Sequence, residues 1–219
     1  MLIEARNVSL IYDIEKQNDS YALKDINFTV QPRELVGVMG PSGSGKSSLL
    51  YVISGLKKPT TGAVYYDGND VDSLAAEDLS RLRRQKYGFI FQRHLLVDYL
   101  SVLDNVLLPS FKLNNEILEQ AMALLERMEI RHLKGKKPGE LSQGQRQRVA
   151  IARALINSPD VIFADEPTAS LDHKNAMDVM AVFQEQLENT SVVVVTHDGS
   201  ILENADRVVE LWDGRIKRG

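Results

Sequence analysis

The sequence predicts an α/β fold with a mainly parallel sheet, an N-terminal antiparallel β-subdomain and an inserted α-helical subdomain. The parallel sheet is predicted from short, nearly continuous apolar runs, which are typical of strands buried on both faces. These runs are Leu35–Met39, Phe89–Phe91, Val161–Ala164 and Val192–Thr196. Apolar-polar alternation near the N-terminus predicts the antiparallel part, and a long stretch with helical spacing predicts the insertion.

The antiparallel subdomain is expected near the N-terminus. Residues 8–12 and 26–30 place apolar side chains at every second position, which is the period of a half-exposed strand. Ala63–Tyr66 is followed by Asp67-Gly68, a dipeptide that favours the tight turn of a β-hairpin. We therefore expect antiparallel strands in all three segments.

The helical insertion is expected between the second and third apolar runs. Its spacing is clearest at Ile117, Ala121, Leu124, Leu125 and Met128, which would share one face of a helix. No internal repeat or low-complexity tract interrupts the chain.

The length and composition favour a single domain. The chain has 219 residues, of which 43% are hydrophobic, so it can bury a substantial core. We expect one domain over 1–219, with the core and β-subdomain in 1–91 and 160–219 and the helical subdomain in 92–159.

The composition also argues against several classes of protein and site. The net charge is only −4 and the lysines and arginines are dispersed, so no nucleic-acid partner is expected. There is no cysteine, which excludes disulfides and thiolate metal sites and suits a reducing cytosol. Glu4 and Arg6 interrupt the N-terminal segment, so no signal peptide is expected. The apolar runs are too short to span a bilayer, so a second polypeptide would have to hold the chain at a membrane.

The segment Gly40–Ser47 matches the phosphate-binding pattern G-x-x-x-x-G-K-[ST] between a predicted strand and a predicted helix. In such a loop the backbone N–H groups surround a polyphosphate, and the helix N-terminus adds partial positive charge. Lys46 would reach the outer phosphates and Ser47 would coordinate Mg²⁺. The candidate nucleotide-binding residues here are Gly40, Ser42, Gly43, Ser44, Gly45, Lys46, Ser47 and Ser48. The alternative is an ordinary glycine-serine loop, but the strand before it and the helix after it favour a P-loop NTPase core.

Two acidic residues, Asp165 and Glu166, follow the buried run Val161–Ala164. They are expected at the carboxyl edge of the sheet, where open α/β folds bind ligands. Asp165 is the candidate Mg²⁺ carboxylate, and Glu166 is the candidate general base that activates water. An acid that merely complements a helix dipole is the alternative for Glu166. The absence of an N-K-x-D sequence argues against a GTPase, whereas several ATPase and kinase lineages remain.

The segment Leu141–Leu155 begins with a serine that can cap a helix and continues with helical spacing. Its start is a second potential anion site, and a single nucleotide does not require two such sites. It would therefore suit a nucleotide held by another copy of the chain. Taken alone, it could equally be an ordinary capped helix.

This segment resembles the signature motif of ATP-binding-cassette (ABC) proteins, and the resemblance extends along the whole chain. The family has a RecA-like P-loop core, and two subunits sandwich two ATP molecules. The resemblance implies that Ser142, Gly144 and Gln145 contact the ATP of the opposite subunit. Gln143 stands where the family usually has glycine.

Other family elements have matching positions here. Gln92 resembles the glutamine that senses Mg²⁺ and water, and His197 resembles the histidine that contacts the γ-phosphate. Ala169–Asp172 resembles the loop that couples the two sites, with Asp172 as its acidic residue. Tyr12 resembles the aromatic residue that stacks on adenine. Taken alone, each could be a structural residue.

The resemblance is strongest to the branch of macrolide-exporter, lipoprotein-release, cell-division and antimicrobial-peptide-resistance ATPases. It implies an ATPase that uses ATP and Mg²⁺, pairs with itself or a related subunit, and drives a membrane permease from the cytoplasmic face of the cell membrane. We expect the permease to dock near Gln92–Tyr99. A soluble cassette ATPase of DNA repair or translation, and a P-loop kinase acting on a metabolite, are the competing functions.

Overall fold

The computed structural model describes residues 1–12, 21–110, 113–169 and 171–217, and it contains both predicted sheets. The smaller sheet is antiparallel, with strands β1 (Ile3–Ile11), β2 (Tyr21–Val30), β4 (Thr61–Tyr66) and β5 (Asn69–Asp70) in the spatial order β2-β1-β4-β5. Asp67 and Gly68 both have positive φ and join β4 to β5, so the predicted hairpin turn is confirmed.

The larger sheet is mainly parallel, as predicted. Its described strands are, in spatial order, β10 (Arg215–Ile216), β9 (Arg207–Trp212), β3 (Leu35–Met39), β8 (Ser191–Val195), β7 (Val161–Asp165) and β6 (Tyr87–Ile90). Adjacent strands are parallel except that β10 pairs antiparallel with β9. The strand predicted at Phe89–Phe91 begins two residues earlier, because Tyr87 and Gly88 also pair with β7.

Strand β1 departs from the predicted alternation. Val8, Ser9 and Leu10 are all buried, because the pairing of β1 with both neighbouring strands shifts register in this region. The buried Ser9 hydroxyl accepts a hydrogen bond of 3.0 Å from the backbone N–H of Asp25, which satisfies its polar oxygen. The strand ends at Ile11, so Tyr12 follows β1 instead of forming part of it.

Helices lie between the strands and include the predicted helical segment. They are α1 (Lys46–Ile53), α2 (Ala76–Lys86), α3 (Val102–Leu107), α4 (Asn115–Arg127), α5 (Gln143–Leu155) and α6 (His173–Gln186). Short 3-10 helices span Val71–Ser73, Arg131–Leu133, Pro138–Glu140 and Gly199–Leu202. Helices α3, α4 and α5 follow β6 and precede β7. None of the described helices is long and apolar enough to cross a bilayer.

The central strands read as continuous apolar runs because both faces of the larger sheet are covered. On β7 and β8, Ile162 and Val192 belong to one core cluster, which includes apolar residues of α3 to α6. Their neighbours Phe163 and Val193 belong to a second cluster, which includes α1 and the antiparallel sheet. This double burial fixes the sheet, so that the loops at the carboxyl ends of its strands are held in place.

Candidate active site

The predicted phosphate-binding loop connects β3 to α1. Gly45 precedes the helix with φ of 102°, and a Cβ atom built there would lie 2.3 Å from the backbone oxygen of Ala22 in β2. The loop is therefore packed against the antiparallel sheet at this position, and only glycine fits without displacing backbone. Its backbone leads directly into the N-terminus of α1, as an anion site requires.

The Lys46 side chain is folded over this loop. Its ammonium group donates hydrogen bonds to the backbone oxygens of Gly40, at 2.8 Å, and Pro41, at 3.0 Å. Among the described residues, the buried hydroxyl of Ser44 has no hydrogen-bond partner. A buried polar group of this kind is costly unless a ligand or water satisfies it. The loop thus holds a cation and an unsatisfied hydroxyl, which fits a phosphate-binding cradle.

Asp165 ends β7 beneath the start of α1. Its carboxylate accepts hydrogen bonds from the hydroxyls of Ser47, at 3.0 Å, and Tyr51, at 3.3 Å. Burial raises the pKa of Asp165, and the two hydroxyl donors partly oppose that rise. The sequence reasoning missed Tyr51, although it lies four residues after Ser47 and so on the same face of α1.

Glu166 follows Asp165 with φ of 50°, in the left-handed region. One carboxylate oxygen lies 2.9 Å from Nδ1 of His197, and the other accepts a hydrogen bond of 3.3 Å from the Thr196 hydroxyl. The side chain of Glu166 is 12% exposed and that of His197 is 69% exposed. The carboxylate is thus held on both oxygens at the edge of the sheet. Thr196 is the second residue of this site that the sequence reasoning missed.

Tyr12 lies beside the start of α1. Its hydroxyl is 3.2 Å from that of Ser48, and the Lys57 ammonium group lies 5.2 Å from the centre of its ring. Tyr21, at the start of β2, is a further aromatic residue at this place that the sequence reasoning did not single out.

Most of the predicted site residues line one open cleft of about 740 Å³. The described residues around it are Tyr12, Tyr21, Ala22, Ser42, Gly43, Gly45, Lys46, Ser47, Ser48, Gln92, Glu166 and His197. Asp165 reaches it through Ser47. The structure therefore brings together loops that are up to 185 positions apart in the sequence, between Tyr12 and His197.

The predicted signature residues do not line this cleft. Ser142 caps α5: its hydroxyl accepts from the N–H of Gln145 at 3.2 Å, and the Gln145 side chain accepts from the N–H of Ser142 at 2.9 Å. Gly144 lies in the first turn of the same helix. Asp172 caps α6 by accepting a hydrogen bond of 3.0 Å from the N–H of Asn175, and it too lies outside the cleft. Ser170, part of the predicted coupling loop, lies outside the described residues.

Comparisons with known proteins identify the family. A family profile described as ABC transporter matches residues 23–169. This chain belongs to the ABC transporter family. The macrolide export ATP-binding/permease protein MacB of Rhodopseudomonas palustris (strain BisB18) is 44% identical over 199 residues, which is 89% of this chain and 30% of that protein. MacB of Escherichia coli is 42% identical over 219 residues, which is 98% of this chain and 34% of that protein. The chain thus spans about a third of the length of these curated relatives.

Solved structures agree with this assignment. The dimeric structure of the bacterial ABC transporter cassette MJ0796 matches 99% of this chain and 97% of its own, with 40% identity and a TM-score of 0.93. A dimeric, post-hydrolysis state of MJ0796 bound to ADP and Pi also matches 99% of this chain and 97% of its own, with 39% identity and a TM-score of 0.92. The predicted family and fold are confirmed, and the chain is an ABC ATPase cassette.

The cassette offers oxygen donors where the sequence predicted a magnesium site. The Ser47 hydroxyl and the Asp165 carboxylate are already adjacent, and Gln92 lines the same cleft. Hydroxyl, carboxylate and amide oxygens are the ligands that Mg²⁺ prefers. No group of three or more histidine, cysteine or acidic residues suited to a metal occurs in the described part of the cassette. The residues present therefore fit a cation that is shared with phosphate oxygens.

The segment Gln92–Tyr99 runs across the surface of the cassette after β6. The side chains of Leu95 and Tyr99 are exposed, and the Arg153 guanidinium group donates to the backbone oxygens of His94 and Leu95 at 2.8 and 2.7 Å. These two bonds fix the backbone of the segment from the side of α5.

A groove of about 410 Å³ adjoins this segment. Its apolar and basic lining includes Leu56, Phe89, Phe91, Leu95, Leu108, Arg83, Arg84 and Arg153. No acidic residue occurs among the described residues that line it. The groove is thus suited to an apolar segment that carries negative charge.

Proposed function

We propose that this cassette binds Mg-ATP in the cleft around Lys46 and hydrolyses it to drive a membrane permease. The observation that carries the proposal is the arrangement of Lys46, the Ser47–Asp165 pair and the Glu166–His197 pair around one cleft. These groups supply a cation for phosphate, oxygen ligands for a metal and a carboxylate beside a histidine. Together they fit the cleavage of a phosphoanhydride by water.

Each residue has a distinct role in this proposal. Lys46 and the backbone N–H groups of Gly43 and Gly45 hold the outer phosphates of ATP. Ser47, Asp165 and Gln92 would hold Mg²⁺, which would neutralise negative charge on the phosphates. Tyr12 stacks on adenine.

The reaction itself needs a base and a partner for the terminal phosphate. Glu166 orients the attacking water and accepts its proton, a role worth about 10²–10⁴ in rate. His197 lies against Glu166 through Nδ1 and is largely exposed, so it can turn toward the γ-phosphate and donate a ring N–H to it.

The cassette acts as a pair in this proposal. Ser142, Gly144 and Gln145 form an anion-binding helix start outside the cleft of their own chain, and Asp172 lies outside it as well. In a dimer these residues would face the ATP held by the opposite subunit. The dimeric state named for MJ0796 supports this pairing, with either a second copy or a related subunit.

The permease partner is proposed from the relatives and from the surface after β6. The relatives are named as macrolide export ATP-binding/permease proteins, which combine a cassette with a permease. We place the permease contact at Gln92–Tyr99 and the adjoining groove, with the cassette on the cytoplasmic face of the membrane. In this proposal the core and the β-subdomain consist of residues 1–91 and 160–219. The helical subdomain, which carries the permease contact, consists of residues 92–159.

The proposal is tested by comparing Glu166→Gln with Lys46→Ala. Glu166→Gln should keep ATP affinity, slow hydrolysis by about 10²–10⁴ and elute in ATP at twice the monomer mass. Lys46→Ala should weaken ATP binding itself and give no ATP-dependent dimer. Fluorescent ATP titration, phosphate release and size exclusion measure these properties. Normal hydrolysis by Glu166→Gln would refute the assignment of the base.

The same assays distinguish the competing functions. Steady phosphate release without an acceptor argues against a kinase. Stimulation of hydrolysis by DNA, RNA or ribosomes, without a co-purifying multi-span membrane protein, would replace the transport role by a soluble one.

A further inference from the structure

Thr196 joins three parts of the site although it does not line the cleft. It directly follows β8, is 1% exposed, and donates its backbone N–H to the oxygen of Val38 at 3.1 Å. Its hydroxyl accepts a hydrogen bond of 3.0 Å from the N–H of Asp198 and lies 3.3 Å from Oε2 of Glu166. Val38 belongs to β3, the strand that leads into the phosphate-binding loop.

The hydrogen-bond pattern fixes the direction of the Thr196 hydroxyl. A hydroxyl group has one hydrogen to donate, and its oxygen can accept as well. Because Asp198 donates to this oxygen, the single hydroxyl hydrogen is available for Oε2 of Glu166. The backbone of Glu166 is also held by β8, since the Glu166 N–H donates to the backbone oxygen of Val195 at 2.8 Å.

The two side chains that hold the Glu166 carboxylate differ in how freely they can move. His197 is 69% exposed and can turn toward a ligand, whereas Thr196 is buried and tied to β3. Thr196 is therefore the contact that persists when His197 moves to a phosphate.

We propose that Thr196 is a positioning residue that aims the Glu166 carboxylate at the attacking water. This inference rests on the proposed function, in which Glu166 is the base. The hydroxyl fixes one carboxylate oxygen, so the other is directed toward the cleft. Orienting a reacting group in this way is worth up to about 10²-fold in rate.

The primary test replaces the hydroxyl by a methyl group in Thr196→Val. The kcat for ATP should fall by about 10- to 100-fold while KM and fluorescent-ATP affinity stay within about twofold. Thr196→Ser keeps the hydroxyl and should restore kcat to within about threefold of the original chain. If Thr196→Val does not fold, Thr196→Ala takes its place. A kcat that is unchanged without the hydroxyl, or equally low in the Val and Ser variants, would overturn the proposal.

Thr190→Val is the matched control. Thr190 is also buried and lies just before β8, at the opposite end of that strand from Thr196. Its hydroxyl donates a hydrogen bond of 2.8 Å to the backbone oxygen of Pro159. Its loss should lower the melting temperature without changing kcat. An equal fall in kcat in Thr190→Val would mean that general loss of packing, not positioning, explains the effect of Thr196→Val.

A double-mutant cycle separates this proposal from the function on which it rests. In Glu166→Ala there is no carboxylate to aim, so adding Thr196→Val should change single-turnover hydrolysis by less than about twofold. A further tenfold loss would show that Thr196 acts elsewhere and would overturn its positioning role alone. Normal hydrolysis by Glu166→Ala would instead overturn the base assignment and the positioning role together.

Discussion

The tight packing of the phosphate-binding loop at Gly45 gives a quantitative prediction. Gly45→Ala adds a methyl group where a Cβ would lie 2.3 Å from the backbone oxygen of Ala22. The same change at Gly43 adds a methyl group with nothing within 4 Å, although φ there is also positive, at 79°. Comparing Gly43→Ala with Gly45→Ala therefore separates the cost of backbone strain from the cost of steric overlap within one loop.

The magnitudes follow from these two geometries. A left-handed backbone costs an L-residue about 1–2 kcal/mol, which is the whole expected effect of Gly43→Ala. At Gly45 the Cβ is also about 1 Å closer than an ordinary C···O contact. Overpacking of this kind adds about 1–3 kcal/mol. The free energy of unfolding of Gly45→Ala should thus be lower by about 2–5 kcal/mol. For a chain of this length, each kcal/mol lowers the melting temperature by about 2–4 °C.

Urea unfolding and fluorescent-ATP titration measure the outcome. Gly139→Ala is the control, since a Cβ there meets nothing within 4 Å and its φ is not positive, so its effect should stay within about 0.5 kcal/mol. Gly45→Ala should also weaken ATP binding more than Gly43→Ala does, because relief of the overlap displaces the loop. Equal unfolding free energies for Gly43→Ala and Gly45→Ala would refute the reasoning.

Two further predictions concern the surface and the start of α6. Alanine or charge-reversal changes in 93–99, such as Leu95→Ala with Tyr99→Ala, should leave basal ATP hydrolysis intact but abolish its response to the co-purified permease. Val208→Ala, exposed on β9, is the control, and a preserved response would remove the docking site. Hydrogen bonds from the Asn175 backbone and side chain lower the pKa of Asp172 in the folded chain. The ionised Asp172 carboxylate therefore stabilises the fold above the pKa that Asp172 has in the unfolded chain, and this stabilisation is lost as the pH falls through the folded pKa. Asparagine can also cap a helix. The urea midpoint should therefore fall more steeply below about pH 4 in the original chain than in Asp172→Asn, and parallel curves would contradict this account.

Much of the candidate site could be predicted because many of its residues are consecutive in the sequence. The phosphate-binding loop needs glycines, a lysine and a serine at fixed spacing between a strand and a helix, and Gly40–Ser47 meets that need locally. Asp165 and Glu166 could be placed for a similar reason, since they end a run buried on both faces of the sheet. The start of β6 and the burial pattern of β1 were less predictable, because register shifts and pairing with neighbouring strands decide them.

The linear sequence was enough to identify the family, the order of the motifs and the candidate roles of Lys46 and Glu166, because each depends on short segments whose geometry is local. The groups that hold Asp165 and Glu166 are instead set by tertiary contacts. The hydroxyl of Tyr51 reaches Asp165 across 114 positions, and that of Thr196 reaches Glu166 from just after the neighbouring strand β8. Such contacts arise from the lateral order of strands in the sheet. That order depends on which apolar faces pack together over the whole chain, so no single segment specifies it.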